Sequence, residues 1–408
     1  MLGLRWTMAG FLVALIVPSL RAQTTPCTSW RLDEVARIGS LDGDDALTWV
    51  MDLSVAPNGN LYVAQSFTAS IAEFTPDGEL LRRIGRAGQG PGEFDVTVVR
   101  LGWLDDALWA SDLRTLHFFG ADGVEVRRVS FRTPVPGEGS TFTPGSPLAD
   151  GTVLGFRFLG PGHARLYAAD RVPLVRWSTD GEVVDTIGFT SRRVVVSQGG
   201  LATEHPLDSW LGESRLPVAV TPDGTSVLLV GEVRQQSPRS SFDLIRLAIN
   251  GDTLLARTID YQPKPVTARE AAWLSEAFGK HHAGDYYSGS RGGNTTDAGK
   301  EVLRRRARGA ISFPTFHPPV RRIVAGLDGT IWLLRELEYP ELRDRWDVYS
   351  ESGILEGRVE VSEGRGNTVP WEPRLNVFHA TRRAVWGTTI DEFDVSYVHR
   401  YRVDRDCG

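Results

Sequence analysis

Apolar and polar residues alternate along the stretch from Asp52 to Phe94. Such alternation predicts half-buried β-strands, because successive side chains of a strand point to opposite faces. Asn58-Gly59 and Asp77-Gly78 interrupt the alternation, and these pairs favour hairpin turns because both residues tolerate positive φ. The pattern therefore predicts four antiparallel strands, which cover Asp52–Ala56, Asn60–Ala64, Ser70–Phe74 and Glu79–Ile84.

The same unit recurs along the rest of the chain. Four antiparallel strands in about 40 residues are the size of one blade of a β-propeller. Later units keep the apolar alternation and the turn residues, as at Asp122-Gly123 and Asp328-Gly329. We therefore expect an all-β fold, a six-bladed β-propeller over residues 23–408, with blades at about 50–94, 96–136, 145–195, 215–262, 320–361 and 373–405.

The last of these units contains only three strands, whereas an isolated strand, Trp30–Gly39, precedes the first unit. We expect this strand to complete the last blade, because closing the ring removes its open edges. Cys27 and Cys407 would then flank one seam of the ring. In an oxidising compartment this pair favours a disulfide, with two unrelated buried thiols as the alternative.

Residues 267–318 interrupt the repeat between the fourth and fifth units. Thr267 and Glu270 have the spacing of a capping box, which predicts a helix that begins after Thr267. A second helical run is expected over Thr296–Ala310. About 50 residues are too few for a sizeable core of their own, so we expect a helical insertion within the propeller.

The N-terminus has the pattern of a signal peptide. Arg5 precedes an apolar run, Met8–Val17, and a segment that ends at Ala22 resembles a cleavage region. We expect removal of residues 1–22, with an uncleaved anchor as the alternative. No other segment is apolar enough to cross a membrane. The predicted product is a periplasmic or extracellular monomer without a membrane span.

Composition narrows the class of partner. The net charge is −6 and both signs are interspersed along the chain, whereas nucleic-acid-binding proteins concentrate positive charge. We therefore expect no nucleic acid partner. Hydrophobic residues make up 41% of the sequence, which is enough for a large core.

The fourth strand of the first unit and its exit carry a specific resemblance. ELLRRIGRAGQGPGEF at Glu79–Phe94, which follows NGNLYVAQS and FTPDG, resembles NHL-type repeats and the secreted bacterial six-bladed β-propellers built from them. Later units match less closely. The resemblance implies a binding or assembly module. The fold is shared with calcium-dependent lactonases, which hold the metal with Glu, Asn and Asp residues around the central channel.

Long loops indicate which face of the ring binds. The Asn-Gly and Asp-Gly turns share one face, so the loops between second and third strands and between blades share the other. We call the latter the long-loop face, and binding sites tend to lie on such loops. Its long elements are Gly160–Arg171, Thr190–Leu216, Thr267–Pro318 and Glu363–Pro373.

Several side chains on this face are candidates for binding. Charged pairs follow second strands and are expected to rim the channel or to form ion pairs between blades: Asp112 and Arg114, Glu232 and Arg234, and Arg335 and Glu336. Two histidines could bind a metal or take part in acid–base chemistry, and three aromatic residues could supply binding surface: His281, His282, Tyr286, Tyr287 and Trp371. Asp391, Glu392 and Asp394 form an acidic loop that could hold Ca²⁺.

Catalytic motifs do not stand out. Gly88–Gly92 is glycine-rich, but no helix and no Lys-Ser/Thr follow it, so it fails as a phosphate-binding loop. No Gly-x-Ser-x-Gly elbow is present. We favour a propeller that binds a protein, peptide or small-molecule ligand through its long-loop face. A lactonase-like hydrolase with Ca²⁺ in the channel and a purely structural envelope component are the alternatives.

Overall fold

The computed structural model describes residues 29–65, 68–95, 98–112, 115–131, 140–159, 171–191, 217–235, 239–273, 276, 301, 315–335, 344–361, 374–391, 393 and 395–405. These residues form 26 β-strands, numbered here in chain order, and a short helical segment, α1, over 268–273; residues 276 and 301 are also helical. The described residues are therefore all-β apart from these helical residues.

Four sheets each contain four consecutive antiparallel strands. The first holds β2 (Val50–Val55), β3 (Leu61–Gln65), β4 (Ile71–Phe74) and β5 (Leu80–Ile84). The second holds β8 (Arg100–Leu104), β9 (Ala107–Ser111), β10 (Thr115–Phe119) and β11 (Glu125–Ser130). The third holds β12 (Ser140–Pro147), β13 (Val153–Leu159), β14 (Arg171–Trp177) and β15 (Val183–Ser191). The fourth holds β16 (Val218–Val220), β17 (Ser226–Arg234), β18 (Ser240–Ala248) and β19 (Thr253–Tyr261).

The remaining long strands form one eight-stranded sheet in the order β20-β21-β22-β23-β1-β26-β25-β24. One half contains β20 (Arg322–Ala325), β21 (Ile331–Leu334), β22 (Asp344–Tyr349) and β23 (Leu355–Val361). The other half contains β24 (Asn376–Ala380), β25 (Ala384–Ile390), β26 (Ser396–Asp404) and β1 (Ser29–Ile38). Two further short strands, β6 (Arg86–Ala87) and β7 (Glu93–Phe94), pair in parallel after the first sheet.

The N-terminal strand β1 joins the two halves. Most of β1 pairs antiparallel with β26, from Arg31 opposite Asp404 to Ile38 opposite Val398. The sequence predicted this pairing, which supplies the fourth strand of the last unit. The pairing of Ser29 and Trp30 with β23 in parallel was not predicted. Arg31 pairs with Asp404, the last residue of β26, so Ser29 and Trp30 extend beyond that strand and pair with β23 of the neighbouring unit. The two sheets that we expected to be separate therefore form one sheet.

Local turn chemistry sets the hairpins of the first sheet as predicted. Gly59 and Gly78 have φ of 90° and 96°, a conformation that side-chain-bearing residues rarely adopt. The amide of Gly59 donates to the carbonyl of Ala56 at 2.9 Å, and the amide of Gly78 donates to that of Thr75 at 3.0 Å. Asn58-Gly59 and Asp77-Gly78 therefore close the two hairpins.

Apolar clusters between consecutive four-stranded units hold the molecule together. Six such clusters are present among the described residues. One packs Tyr62 of the first sheet against Leu108 of the second. Another packs Phe74 of the first sheet against Phe378 and Val398 of the last unit. The last unit therefore packs against the first. This cyclic packing is a propeller-like arrangement.

The insertion begins as the capping box predicts. Thr267 Oγ1 accepts from the amide of Glu270 at 3.2 Å, and Glu270 Oε2 accepts from the amide of Thr267 at 2.8 Å. At its base, Pro265 and Phe316 form an antiparallel bridge. The second predicted helical run lies outside the described residues except for 301. Among the described residues, no helix combines the length and apolar character needed to cross a membrane.

Candidate functional site

A cavity of about 510 Å³ lies where the first strands of the four four-stranded sheets and the two edge strands of the eight-stranded sheet converge, and we call it the central cavity. Its walls are mainly apolar residues and backbone of β2, β8, β12, β16, β20 and β24, and they include Leu53, Trp103, Pro147, Val220 and Val324. First strands enter from the blade-to-blade connections and end at the tight turns. Residues at their starts therefore lie nearer the long-loop face.

Charged residues cluster at that end of the central cavity. Arg100 and Arg322 are the first residues of β8 and β20, and Asp52 lies near the start of β2. Asp52 Oδ1 accepts from the amide of Leu53 at 3.1 Å, and Oδ2 accepts from the amide of Leu101 at 3.2 Å. The Asp52 carboxylate therefore ties β2 to the next first strand.

The other side of β2 is tied to the last unit in a similar way. His379 Nε2 donates to the carbonyl oxygen of Leu53 at 3.0 Å. The guanidinium of Arg322 lies 4.9 Å from the ring centroid of Phe378, within the range of a cation–π contact. These contacts make the charged end of the cavity part of the ring's own structure.

The described lining of the central cavity does not fit a calcium site. Ca²⁺ in proteins takes six to eight oxygen ligands, several of them carboxylates. Asp52 and Asp105 are the cavity's carboxylates, Asp105 sits in an exposed turn at the opposite end, and two arginines accompany Asp52. No group of three His, Cys, Asp or Glu side chains within the described ranges has the arrangement needed to hold a metal ion.

Asp112, one of the predicted binding residues, is buried beside the second sheet and does not line the central cavity. Asp112 Oδ1 accepts from the amide of Thr115 at 2.7 Å, and its Oδ2 lies 3.5 Å from His117 Nε2. His117 Nδ1 lies 2.6 Å from Glu125 Oε1 on the next strand. The Asp112 carboxylate thus belongs to a buried polar chain within one sheet.

Glu125 extends this chain to the glycine-rich connection that follows the first sheet. Its Oε2 accepts from the amide of Gly92 at 2.7 Å and from Arg128 Nη2 at 2.9 Å. Burial raises the pKa of Glu125, but the hydrogen bonds from Arg128, Gly92 and His117 outweigh burial and hold the pKa below its usual value. Gly88–Gly92 is therefore fixed by an ionised carboxylate.

Replacing Glu125 with glutamine is expected to lower the free energy of unfolding by about 1–2 kcal/mol at pH 7, since charge-assisted hydrogen bonds become neutral ones. The pKa of Glu125 is lowered in the folded protein, so its contribution is present above the usual value of 4.5 and is lost as the pH falls through the folded pKa. Urea denaturation at several pH values measures both effects. Glu182→Gln, at an exposed position after another turn, is the control. An equal loss at pH 7 and in acid would contradict an ionised Glu125.

Glu232 and Arg234, a second predicted pair, lie within β17. Arg234 donates two hydrogen bonds to Asp243 on β18, at 2.9 Å and 2.5 Å, and a third to Glu232 at 3.1 Å. The hydrogen bond from Arg234 lowers the pKa of Asp243. Both predicted residues thus form an ion-pair group within one sheet, and a binding role for them stays a prediction.

Arg335 lies directly after β21 and is 3% exposed. Its guanidinium lies 3.6 Å from Asp347 of β22 and 5.0 Å from the ring centroid of Phe242 in the fourth sheet.

Asp391 of the predicted acidic loop caps a turn: it accepts from the amides of Phe393 at 2.8 Å and Val395 at 3.0 Å. Neither Arg335 nor Asp391 lines the central cavity.

The other sequence-based candidates lie outside the described residues. They are Cys27, Arg114, His281, His282, Tyr286, Tyr287, Glu336, Trp371, Glu392, Asp394 and Cys407. Their roles in binding, and the disulfide, stay predictions.

The charged residues of the central cavity were not among the residues predicted from the sequence. Arg100, Arg322 and His379 carry no motif, and only their positions at or within first strands could have identified them. Asp344, at the start of β22, was also missed. This side chain is fully buried, accepts from the amide of Leu375 at 3.1 Å, and its burial raises its pKa to about 7.

No protein-family model and no curated protein matches this sequence. Solved structures match over most of the chain. Virginiamycin B lyase from Staphylococcus aureus is 10% identical with a TM-score of 0.38, covering 92% of this chain and 99% of its own. The calcium-binding protein regucalcin from Agrobacterium tumefaciens is 13% identical with a TM-score of 0.39, covering 92% and 97%. The Neurospora crassa Pan2 WD40 domain is 8% identical with a TM-score of 0.37, covering 94% and 97%.

These similarities are too weak to transfer an activity to this chain. The propeller-like arrangement rests instead on its own sheets and on the cyclic packing between them.

Proposed function

We propose that the protein is an exported six-bladed β-propeller that binds a small ligand in its central cavity, entered from the long-loop face. The six-blade count treats the eight-stranded sheet as two blades that share β1. It is supported by the two four-stranded halves of that sheet and by the six apolar clusters between consecutive units. Export rests on the signal-peptide pattern of residues 1–22.

The observation that carries the binding function is the composition of the central cavity. Apolar side chains, among them Trp103 and Pro147, line a space of about 510 Å³, which is the size of a small-molecule site. Arg100, Arg322 and Asp52 supply charge at one end. This combination suits a ligand with an apolar body and one polar or anionic group that faces the long-loop side. The 267–318 insertion, on the same face in our proposal, acts as a lid or docking element.

The fluorescent dye anilinonaphthalene sulfonate tests this function, because it combines apolar rings with one anionic group. We expect the wild-type protein to bind the dye. Energy transfer from tryptophan side chains to the bound dye is the expected signal. Arg100→Gln is expected to weaken binding by about 3- to 10-fold, since a partly exposed charge-assisted contact contributes about 1 kcal/mol. The measurement is a fluorescence titration.

Two further variants make the dye experiment specific. Trp103→Phe should reduce the energy transfer and leave the affinity nearly unchanged. Arg86→Gln removes an arginine whose side chain is 81% exposed and which lies away from the cavity, so it should bind as wild type does. If Arg100→Gln and Arg86→Gln bind the dye equally well, the central cavity is not the binding site.

A further inference from the structure

A second cavity lies at the seam between the fourth sheet and the eight-stranded sheet, and we call it the seam pocket. Its volume is about 730 Å³. One wall is the end of β19 and the segment that leads to the insertion, Thr258–Pro265. The opposite wall consists of Arg335 and residues of β22 and β23. It shares no residue with the central cavity.

The described lining of the seam pocket has an excess of positive charge. Its ionisable side chains other than tyrosine are Lys264, Arg335, Arg345, Arg358, Asp260 and Asp347. All three arginines surround a single carboxylate, that of Asp347, at 3.6 Å for Arg335, 3.7 Å for Arg345 and 3.3 Å for Arg358. The single negative charge of Asp347 cannot neutralise both Arg335 and Arg358, so the local potential attracts anions.

Arg335 is the residue on which the site depends. It is 3% exposed, yet its Nε and Nη1 atoms make no hydrogen bond. Leaving donors of a buried charged group without acceptors is costly, and an oxyanion is the acceptor that best matches the planar guanidinium. Phe242 lies behind the guanidinium with its ring centroid at 5.0 Å and fixes the position of the group.

The remaining walls favour an organic ligand over a bare inorganic ion. Ile259 and Leu355 add apolar surface on opposite sides of the pocket. Tyr349 is buried, and burial raises its pKa to about 12, so its phenol stays protonated at neutral pH. The pocket thus offers arginine donors at one place and apolar contacts beside them.

We propose that the seam pocket binds the phosphate or carboxylate group of a small organic molecule through Arg335 and Arg358, with its apolar part against Ile259 and Leu355. This site is additional to the central cavity. It lies at the base of the insertion, because Lys264 and Pro265 both line the pocket and pair with the returning strand at His317 and Phe316. A ligand in the pocket would therefore contact Lys264 and Pro265, where the chain enters the insertion.

Phenyl phosphate and benzoate test the proposal, since they share one apolar ring and differ in the anionic group. Isothermal titration calorimetry at constant ionic strength is expected to show binding of at least one of them, and the comparison decides between phosphate and carboxylate. Arg358→Gln should weaken binding by about 3- to 10-fold, because this side chain is half exposed and its charge is screened. Arg335→Gln should weaken it by about 10-fold or more.

Matched variants keep the test decisive. Arg86→Gln should bind both compounds as wild type does, since the Arg86 side chain is 81% exposed and does not line the seam pocket. Arg358 is half exposed, so Arg358→Gln provides a result even where Arg335→Gln unfolds the protein. Absence of binding to the wild type overturns the proposal. So does a loss of binding in Arg100→Gln with none in Arg358→Gln, which would place the anion in the central cavity.

Discussion

Replacing Trp30 with alanine is expected to lower the free energy of unfolding by about 3–5 kcal/mol, the range for truncating a large buried aromatic side chain. Trp30 is 4% exposed and packs edge-on against Trp332, with ring centroids 6.2 Å apart. Its indole also fills the space above Gly357, where an added Cβ would lie 2.1 Å from the ring. The substitution would leave a cavity at the junction between β23 and β26.

Urea denaturation measures this effect, and Val35→Ala is the control. Val35 lies on the same strand but is 51% exposed, so its truncation should change stability by about 0.5 kcal/mol or less. The expected result is a much lower urea midpoint for Trp30→Ala alone. Equal midpoints for the two variants would show that β1 does not close the ring through its buried N-terminal end.

Asp344 is expected to make the protein less stable as the pH rises from about 4 to about 7. Burial raises its pKa from the usual 3.8 to about 7, against the opposing effect of Arg321 and Arg374 and of the amides of Leu375 and Arg374. The folded protein therefore keeps a proton that the unfolded chain releases, and stability falls through this pH range. A shift of this size corresponds to about 4 kcal/mol.

The variant Asp344→Asn removes this pH dependence. Asparagine keeps an oxygen that can accept from the amide of Leu375, but it does not ionise. We expect the stability of Asp344→Asn relative to wild type to increase from pH 4 to pH 8, as measured by urea denaturation at each pH. The effect has the opposite sign to that of most paired carboxylates.

Asp328 provides the matched control for that sign. Burial raises the pKa of Asp328, but hydrogen bonds from Arg382 and Thr330 outweigh burial and lower it. Its stabilising contribution is present above the usual value of 3.8 and is lost as the pH falls. Asp328→Asn should therefore lose stability relative to wild type as the pH rises. If both variants follow the same pH trend, the proton on Asp344 is not retained by the folded protein.

The predicted site residues show how much of a side chain's surroundings can be inferred from its position in the sequence. Asp112, Glu232 and Arg335 were chosen because they follow or lie near the ends of second strands. In the structure, Asp112 lies near His117 and the Glu232–Arg234 pair contacts Asp243, both on adjacent strands of the same sheet, whereas Arg335 also contacts Phe242 of another sheet. Charge and chain position indicate at which end of a strand a side chain lies. The register between strands decides which atoms come within hydrogen-bonding distance.

The central cavity could not be derived from the sequence for a related reason. Arg100 and Arg322 lie 222 positions apart in the numbering and become neighbours of one cavity only when the ring closes. Similarly, the seam pocket combines Lys264 with Arg358, which the sequence places on either side of the insertion. Neither set has a spacing that a motif search recognises.

The long strands, the hairpins and the start of the insertion helix could be predicted from the sequence alone. These features are local: Gly59, Gly78 and the Thr267–Glu270 capping box act within five residues of themselves. Two other features depend on long-range packing: β1 bridges two units, and arginines from separate strands share one pocket. Such contacts join residues as far apart as Trp30 and Val359. They depend on how the sheets pack around the ring, which alternation and turn residues do not encode.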